Sequence, residues 1–291
     1  MNRRFLQAII LLVCIGIFGT AYFSLLGSYQ REIRKVILHF SSTGKSHSDG
    51  VKITANVVSL DPVRGELLLR LQFEPQSDLL DSDDVLINAV TVYTNSTSGR
   101  AEVTFKKGES MQPLDVTMAL DGESSQYPWD RYRGTLWVCL AAQKGSGGVT
   151  PIWKAVPFTL DLKPGVPGFK IGAQEVKQKD TGFSLVTVAF DVERARSSAG
   201  FAVFIMILIG LLTMVDFLAG FAMVVGGRKI DTTILGWLGA MLFAMLPLRN
   251  AMPGAPPIGC IADYMSFFWA EAITAVTLIA VVVTWVLRKP G

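Results

Sequence analysis

Few side chains in this sequence are spaced so as to do chemistry. His39 and His47 stand eight residues apart, with no cysteine or acid at ligand spacing beside them, which is not the pattern of a metal centre. Asp78, Asp81, Asp83 and Asp84 form a carboxylate cluster of the kind that attracts a hard cation such as calcium. The cluster lacks the turn glycine and closing glutamate of an EF-hand loop, so we expect a solvated acidic loop and no metal. Glu123 and Asp130 offer the two carboxylates, one acid and one base, that a glycosidase uses. Nothing else supports that reading. The chain has no Gly-x-Ser-x-Gly elbow, phosphate loop or dinucleotide fingerprint. The Gly-Ser-Gly-Gly run at 145–148 lacks the Lys-Ser/Thr and following helix of a phosphate cradle, and reads as a turn. The expectation is a protein that is not an enzyme and carries no cofactor.

Two further acids stand in apolar surroundings. Asp216 is the sole charge in the apolar stretch up to Gly226, with Thr213, Ala219 and Gly220 three and four residues away. A carboxylate in hydrocarbon is costly unless paired or protonated. Asp216 is therefore either a proton-titrating group or a neutral acid hydrogen-bonded to Thr284, Thr232 or Thr233. Glu271 lies about two turns into the last apolar stretch, and Arg249, ending the one before it, is its expected ion-pair partner.

The apolar segments give these positions their meaning. Residues 5–26, 200–226, 232–248 and 264–287 are each long enough, or nearly so, to cross hydrocarbon as helices. Four crossings place the basic clusters Arg3/Arg4, Arg228/Lys229 and Arg288/Lys289 on one side, the cytoplasmic one by the positive-inside rule. Both termini are then inside and residues 28–199 outside. Gly19-Thr20-Ala21 resembles a signal cleavage site, but the apolar run continues through residue 26 and suits a retained anchor better. The net charge of +3 resides wholly in residues 1–27 and 200–291; the exterior segment is neutral and shows no basic excess for nucleic acid. Cys139 and Cys260 would form a bridge in an oxidising compartment, although an odd set of three with Cys14 better suits unpaired thiols.

Alternating and β-branched runs at 51–60, 66–73, 86–93, 101–105, 114–120, 134–142, 152–162 and 183–192 predict about eight strands, the first two joined by a hairpin across Asp61-Pro62-Val63-Arg64-Gly65. The fold class is an α+β membrane protein: an extracytoplasmic antiparallel β-sandwich with a four-helix transmembrane region. Its domains are an anchor at 1–27, a juxtamembrane linker at 28–50, the sandwich at 51–199 and a three-helix domain at 200–291. Within the linker, residues 31–40 read as an outward extension of the first helix. The motif Tyr127-Pro128-Trp129-Asp130-Arg131-Tyr132 has a proline that fixes a turn and an aspartate suited to capping backbone N–H groups. Tyr127, Trp129 and Tyr132 are rings suited to a membrane–water boundary. The motif is thus either a packed strand entry or a loop docking the sandwich on the helices. The segment from Arg249 to Gly259, stiffened by Pro253, Pro256 and Pro257 and closed by Asp263, reads as the floor beneath the β-domain. Gly236, Ala240 and Ala244 at four-residue spacing form a helix-packing stripe.

Together with Pro247-Leu248-Arg249, Pro253-Gly254-x-Pro256-Pro257-Ile258-Gly259, Asp263 and Phe267-Phe268-Trp269-Ala270-Glu271, the Tyr-Pro-aromatic-Asp domain resembles an uncharacterised domain-of-unknown-function family of actinobacterial and fungal integral membrane proteins. That resemblance implies the architecture and no activity. The layout is also distantly similar to pentameric ligand-gated channels, in which an aromatic-Pro-aromatic-Asp loop precedes the pore helices, much as Arg194 and Arg196 lead into Gly200 here. No cysteines flank the loop, one span precedes the domain and residues 232–248 offer few polar side chains for a conduit.

The functional expectation is a non-enzymatic multi-pass protein of the plasma membrane, an accessory subunit whose exterior domain binds a partner protein or an envelope lipid or glycan. Tyr127, Pro128, Trp129, Asp130, Tyr132, Arg249, Pro256 and Pro257 are the candidate binding or docking residues. Its partners would be the bilayer and other envelope membrane proteins or lipid, without nucleic acid, and with homo-oligomers allowed. The alternative is an oligomeric channel or ion-coupled transporter using Asp216 and Glu271.

Overall fold

A computed structural model describes residues 12, 16, 19–20, 22–30, 37–42, 50–99, 101–143, 153–176 and 184–288. Most of the expected first span, Arg3, Arg4, Cys14, His47, the 145–148 turn and Lys289 lie outside them. The chain is α+β, with two antiparallel-rich sheets and, among the described residues, three helices long and apolar enough to cross a membrane. It divides into two compact units. One comprises the N-terminal segment, Ser124–Asp130 and Arg194–Gly291; the other comprises Glu32–Glu123 and Arg131–Glu193.

The β-unit is built by strict alternation. In β3 (Glu66–Pro75), Leu67, Leu69, Leu71 and Phe73 are buried while Arg70, Gln72 and Glu74 face water. Strands β1 (Leu38–Ser41), β10 (Phe158–Lys163), β2 (Val51–Asp61), β3 and β6 (Leu114–Ala119) form one sheet in that order. The second sheet runs β11 (Phe169–Glu175), β12 (Leu185–Arg194), β8 (Arg131–Gln143), β4 (Val90–Thr94) and β5 (Glu102–Phe105). Short β7 (Asp121–Gly122) and β9 (Trp153–Ala155) pair with β8. Inner faces of both sheets merge in one core containing Ile53, Leu69 and Val116 from the first and Val92, Leu136 and Val188 from the second. The β2–β3 hairpin forms as its sequence predicts. Asp61 Oδ1 accepts from the N–H groups of Val63 and Arg64 at 2.9 and 3.0 Å. Gly65 turns at φ 66°, where a Cβ would also meet the Leu120 carbonyl oxygen at 2.7 Å.

The structure corrects several expectations. The sheets are not purely antiparallel, because β10 inserts between β1 and β2 and pairs with β2 in parallel. The strand expected at 152–162 divides at Val156-Pro157 into β9 and β10, which belong to different sheets. Proline lacks the N–H needed to continue a ladder, so the chain leaves one sheet there and joins the other. Residues 38–41, expected as helix or linker, are an edge strand: Phe40 is buried, and outward-facing His39 pairs with Asp161 at 2.7 Å. Residues 124–130 and 194–199, assigned by sequence to the sandwich domain, belong to the helical unit.

The helical unit contains α1 (Arg196–Val224), α2 (Thr232–Asn250) and α3 (Phe268–Leu287), the last preceded by a π-helical turn, Asp263–Phe267. Residues 22–30 are also helical, and Leu25 lies close enough to Gly200 that a Cβ there would come within 2.7 Å of it. Asp231 caps α2 by accepting from the Thr233 N–H at 3.4 Å. Arg288 donates to the carbonyls of Met223 and Arg228, both at 2.8 Å, and so closes the end of α1. The expected stripe on α2 is not packed against another element among the described residues. Gly236, Ala240 and Ala244 are exposed, and α2 instead turns Leu238, Met245 and Arg249 inward. Close approach occurs between α1 and α3, where a Cβ on Gly220 would meet Thr277 Cγ2 at 2.2 Å. Gly220→Ala should therefore destabilise the helical unit by about 1–3 kcal/mol, as overpacking does. Thr277→Ser, which removes that methyl group, should restore most of the loss when thermal unfolding is followed in detergent.

Candidate functional site

The loop between α2 and α3 bends through three positive-φ residues, Gly254 (79°), Ala255 (41°) and Gly259 (91°). It is fastened at both ends by arginines. At one end Arg249, in the last turn of α2, grips Asp263: Nε and Nη2 donate to the two carboxylate oxygens, each at 2.8 Å. Nη2 also donates to the Pro257 carbonyl at 3.0 Å, while Asp263 Oδ2 accepts the Gly259 N–H at 2.8 Å. The expected Arg249–Glu271 pair is therefore not formed. Asp263 opens the π turn and satisfies both the guanidinium and the loop backbone, which Glu271, two turns further along, does not.

The other fastener uses the Tyr127 motif. After a 3₁₀ turn at Ser124–Gln126 and a cis Tyr127–Pro128 peptide, Asp130 meets Arg194 in a bidentate pair at 2.7 and 2.8 Å. Arg194 Nη1 donates to the Pro253 carbonyl at 3.3 Å, and the Tyr127 hydroxyl donates to the same oxygen at 3.0 Å. The Arg194 guanidinium sits over the Tyr127 ring, 4.5 Å from its centre. Burial pushes the Tyr127 phenol far above its ordinary range, so it remains a protonated donor. Asp130, read from sequence as a cap for backbone N–H groups, gives both carboxylate oxygens to Arg194. Its side chain is only 1% exposed.

Around these fasteners the remaining candidates separate. Pro128 and Pro256 are buried, Pro257 is half-buried, and Trp129 is the exposed ring of the motif, at 54%. Tyr132 is not at a membrane boundary but in the β-unit core. Cys139 and Cys260 are free thiols, each with its pKa raised by burial, so the contemplated bridge is absent. The acidic loop is organised as a turn in which Asp81 Oδ1 accepts the Asp83 N–H at 2.6 Å. The β-unit also carries an open groove of about 540 Å³ lined by Leu120, Asp121, Arg133, Gly134, Thr135 and Phe190. Sequence reasoning missed Arg194 as the partner of Asp130. Its signal is an arginine at the junction of an alternating run and an apolar one, where a charge must either reach water or find an acid.

A second polar cluster lies between the helices. Asp216 is fully buried, and its neighbour is Thr274, whose Oγ1 donates to Oδ2 at 3.4 Å. The partners expected from sequence are elsewhere: Thr284 donates to the Ala280 carbonyl, and Thr232 to Asp231. Thr213, one turn before Asp216, donates to the Ile209 carbonyl at 2.9 Å and touches Met245 Sδ at 3.9 Å. Glu271 is half-buried and forms no ion pair among the described residues.

Breaking a buried ion pair by removing one partner costs about 3–5 kcal/mol, because the other charge is stranded. Asp130→Ala and Arg194→Ala should each destabilise the helical unit by about that amount, and the double variant by much less than the sum, in a thermal-unfolding cycle. Gly254→Ala should also destabilise, since its φ is 79° and a Cβ would meet Arg194 Nη1 at 2.7 Å.

A comparison with curated proteins gives no match. Residues 194–288, the three-helix segment, match a domain of unknown function, DUF8686. Residues 41–192, more than half of the chain and nearly all of the described β-unit, match the domain of unknown function DUF4436, and the chain belongs to that family.

Proposed function

We propose that this protein is a non-enzymatic accessory subunit of a membrane assembly in the cell envelope. In this reading the helical unit lies in the plasma membrane with both termini cytoplasmic, and the β-unit lies outside, binding a partner protein or an envelope lipid or glycan. The observation that carries the proposal is the stripe of Gly236, Ala240 and Ala244, exposed along one side of α2. A Cβ placed on Gly236 would meet nothing within 4 Å. Apolar side chains gain nothing by leaving lipid for a neighbouring helix, so small residues that admit a second backbone are the usual means of association there. The paired states of Asp130, Arg194, Arg249 and Asp263 agree with this reading, since their charges hold the fold together. In the β-unit, the groove beside Asp121 and Arg133 is the place where an exterior ligand would rest.

Mild-detergent extraction from the native host, with native mass measured, tests the proposal. The wild type should migrate with a stoichiometric partner, and the variant carrying Gly236→Leu and Ala240→Leu should lose it while unfolding at the same temperature. A wild type that runs as a lone chain, or a partner retained by the variant, would remove the accessory-subunit reading. The alternative, a channel or ion-coupled transporter, is favoured by one observation, the unpartnered oxygen of buried Asp216. A symmetric homo-oligomer whose ion flux changes in Asp216→Asn would select it instead.

A further inference from the structure

Three acids are buried in the helical unit, and only two have what an ionised carboxylate requires. Asp130 takes two bonds from Arg194. Asp263 takes two from Arg249, the Gly259 N–H and a contact from the Cys260 thiol. Among the described residues Asp216 has Thr274 alone, at 3.4 Å on Oδ2, while Oδ1 is buried without a partner.

Among the described residues no cation pairs with it. On α1, Asp216 is the only charge between Arg196 and Arg228. On α2, the nearest charge is Arg249, about one turn beyond Met245 and committed to Asp263 and Pro257. On α3, the nearest charge is Glu271, one turn before Thr274 and of the same sign. The apolar stretch at 5–26 has no charged residue. An uncompensated carboxylate in such a place takes up a proton in preference to remaining ionised.

The donor set also selects among small cations. A sodium ion would need several hard oxygens, whereas this site offers one carboxyl, the hydroxyls of Thr274 and Thr213, and the soft sulfur of Met245, in contact with both hydroxyls. A proton needs only one acceptor. Oδ2–H then donates to Thr274 Oγ1, and Oδ1 remains a carbonyl oxygen whose burial is far cheaper than that of a carboxylate.

We propose that Asp216 binds a proton inside the helical unit and exchanges it through Thr274 with Glu271, which stands half-buried in the first turn of α3, one turn before Thr274. In the exchange, the carboxylic acid of Glu271 loses its proton and becomes a carboxylate as Asp216 gains one. The Thr274 hydroxyl accepts a proton on Oγ1 and gives up its own, and no other bond changes. The site does not depend on the accessory-subunit reading, because it concerns the interior of one chain.

Infrared spectroscopy of the full chain in detergent, in H₂O and D₂O over a range of pH, tests the assignment. At neutral pH the wild type should show the C=O band of a protonated carboxylic acid. That band should vanish in Asp216→Asn and move to higher frequency in Thr274→Val. In Glu271→Gln it should persist but exchange its proton for deuterium severalfold more slowly. No such band in the wild type, or a band that survives Asp216→Asn, would overturn the proposal. A band that grows only when sodium is withdrawn would make the ligand a sodium ion and overturn it equally. An exchange rate unchanged in Glu271→Gln would refute the route. If Asp216→Asn fails to fold, the wild-type band and its shift in Thr274→Val decide the matter.

Discussion

An ionised side chain removed from water has to find both an opposite charge and enough hydrogen-bonding partners, or the burial fails. In the helical unit each buried arginine finds an acid and a proline carbonyl of the α2–α3 loop: Arg194 holds Asp130 and Pro253, and Arg249 holds Asp263 and Pro257. The loop conformation, the entry to α1 and the position of the Tyr127 motif all follow from those two satisfactions. A proline-rich loop has few N–H groups of its own, so its carbonyls are left for side chains to answer. Arginine suits the task because its five donors can serve a carboxylate and a carbonyl at once.

Tyr127 and Asp130 of the motif thereby become parts of a packing unit. Tyr127 lies in a cluster with Ala202, Ile205, Met206 and Met252, and its hydroxyl still reaches a carbonyl. Trp129 remains outward between two buried neighbours, Pro128 and Asp130. One short stretch thus contributes an apolar body, a charge and an exposed ring. The three inward acids of the same unit have three different environments. Asp130 and Asp263 are held by arginines, whereas Asp216 has only the Thr274 hydroxyl as a hydrogen-bond partner among the described residues.

Much of the framework was legible in the sequence because it rests on periodicity. The alternation in 66–73 gave β3, the Asp-Pro-x-x-Gly run gave its hairpin, and the length of the apolar runs gave α1, α2 and α3. What stayed hidden depends on which elements meet. Arg249 had two acids of equal charge within reach of a guess, and only the π turn at Asp263 decides between them. Thr274 was not distinguishable from Thr284 or Thr232 as the partner of Asp216, since helix spacing fixes a face but not the neighbour facing it. Strand β1 was hidden for a related reason: four residues of alternation are too few to outweigh an adjoining helical signal, and its order comes from pairing with β10.

The slot occupied by β10 has a consequence for how the chain is made. Strands β1 and β2 are near neighbours in sequence, yet β10, about a hundred residues later, must lie between them. As the protein emerges from the ribosome, the β2–β3 hairpin can close early, but the other edge of β2 keeps its N–H and C=O groups unanswered until Phe158–Lys163 arrives. For most of its synthesis the β-unit is therefore a sheet with a missing stave. Capture of that edge by another nascent chain, rather than loss of any finished contact, is the failure to which this topology is most exposed.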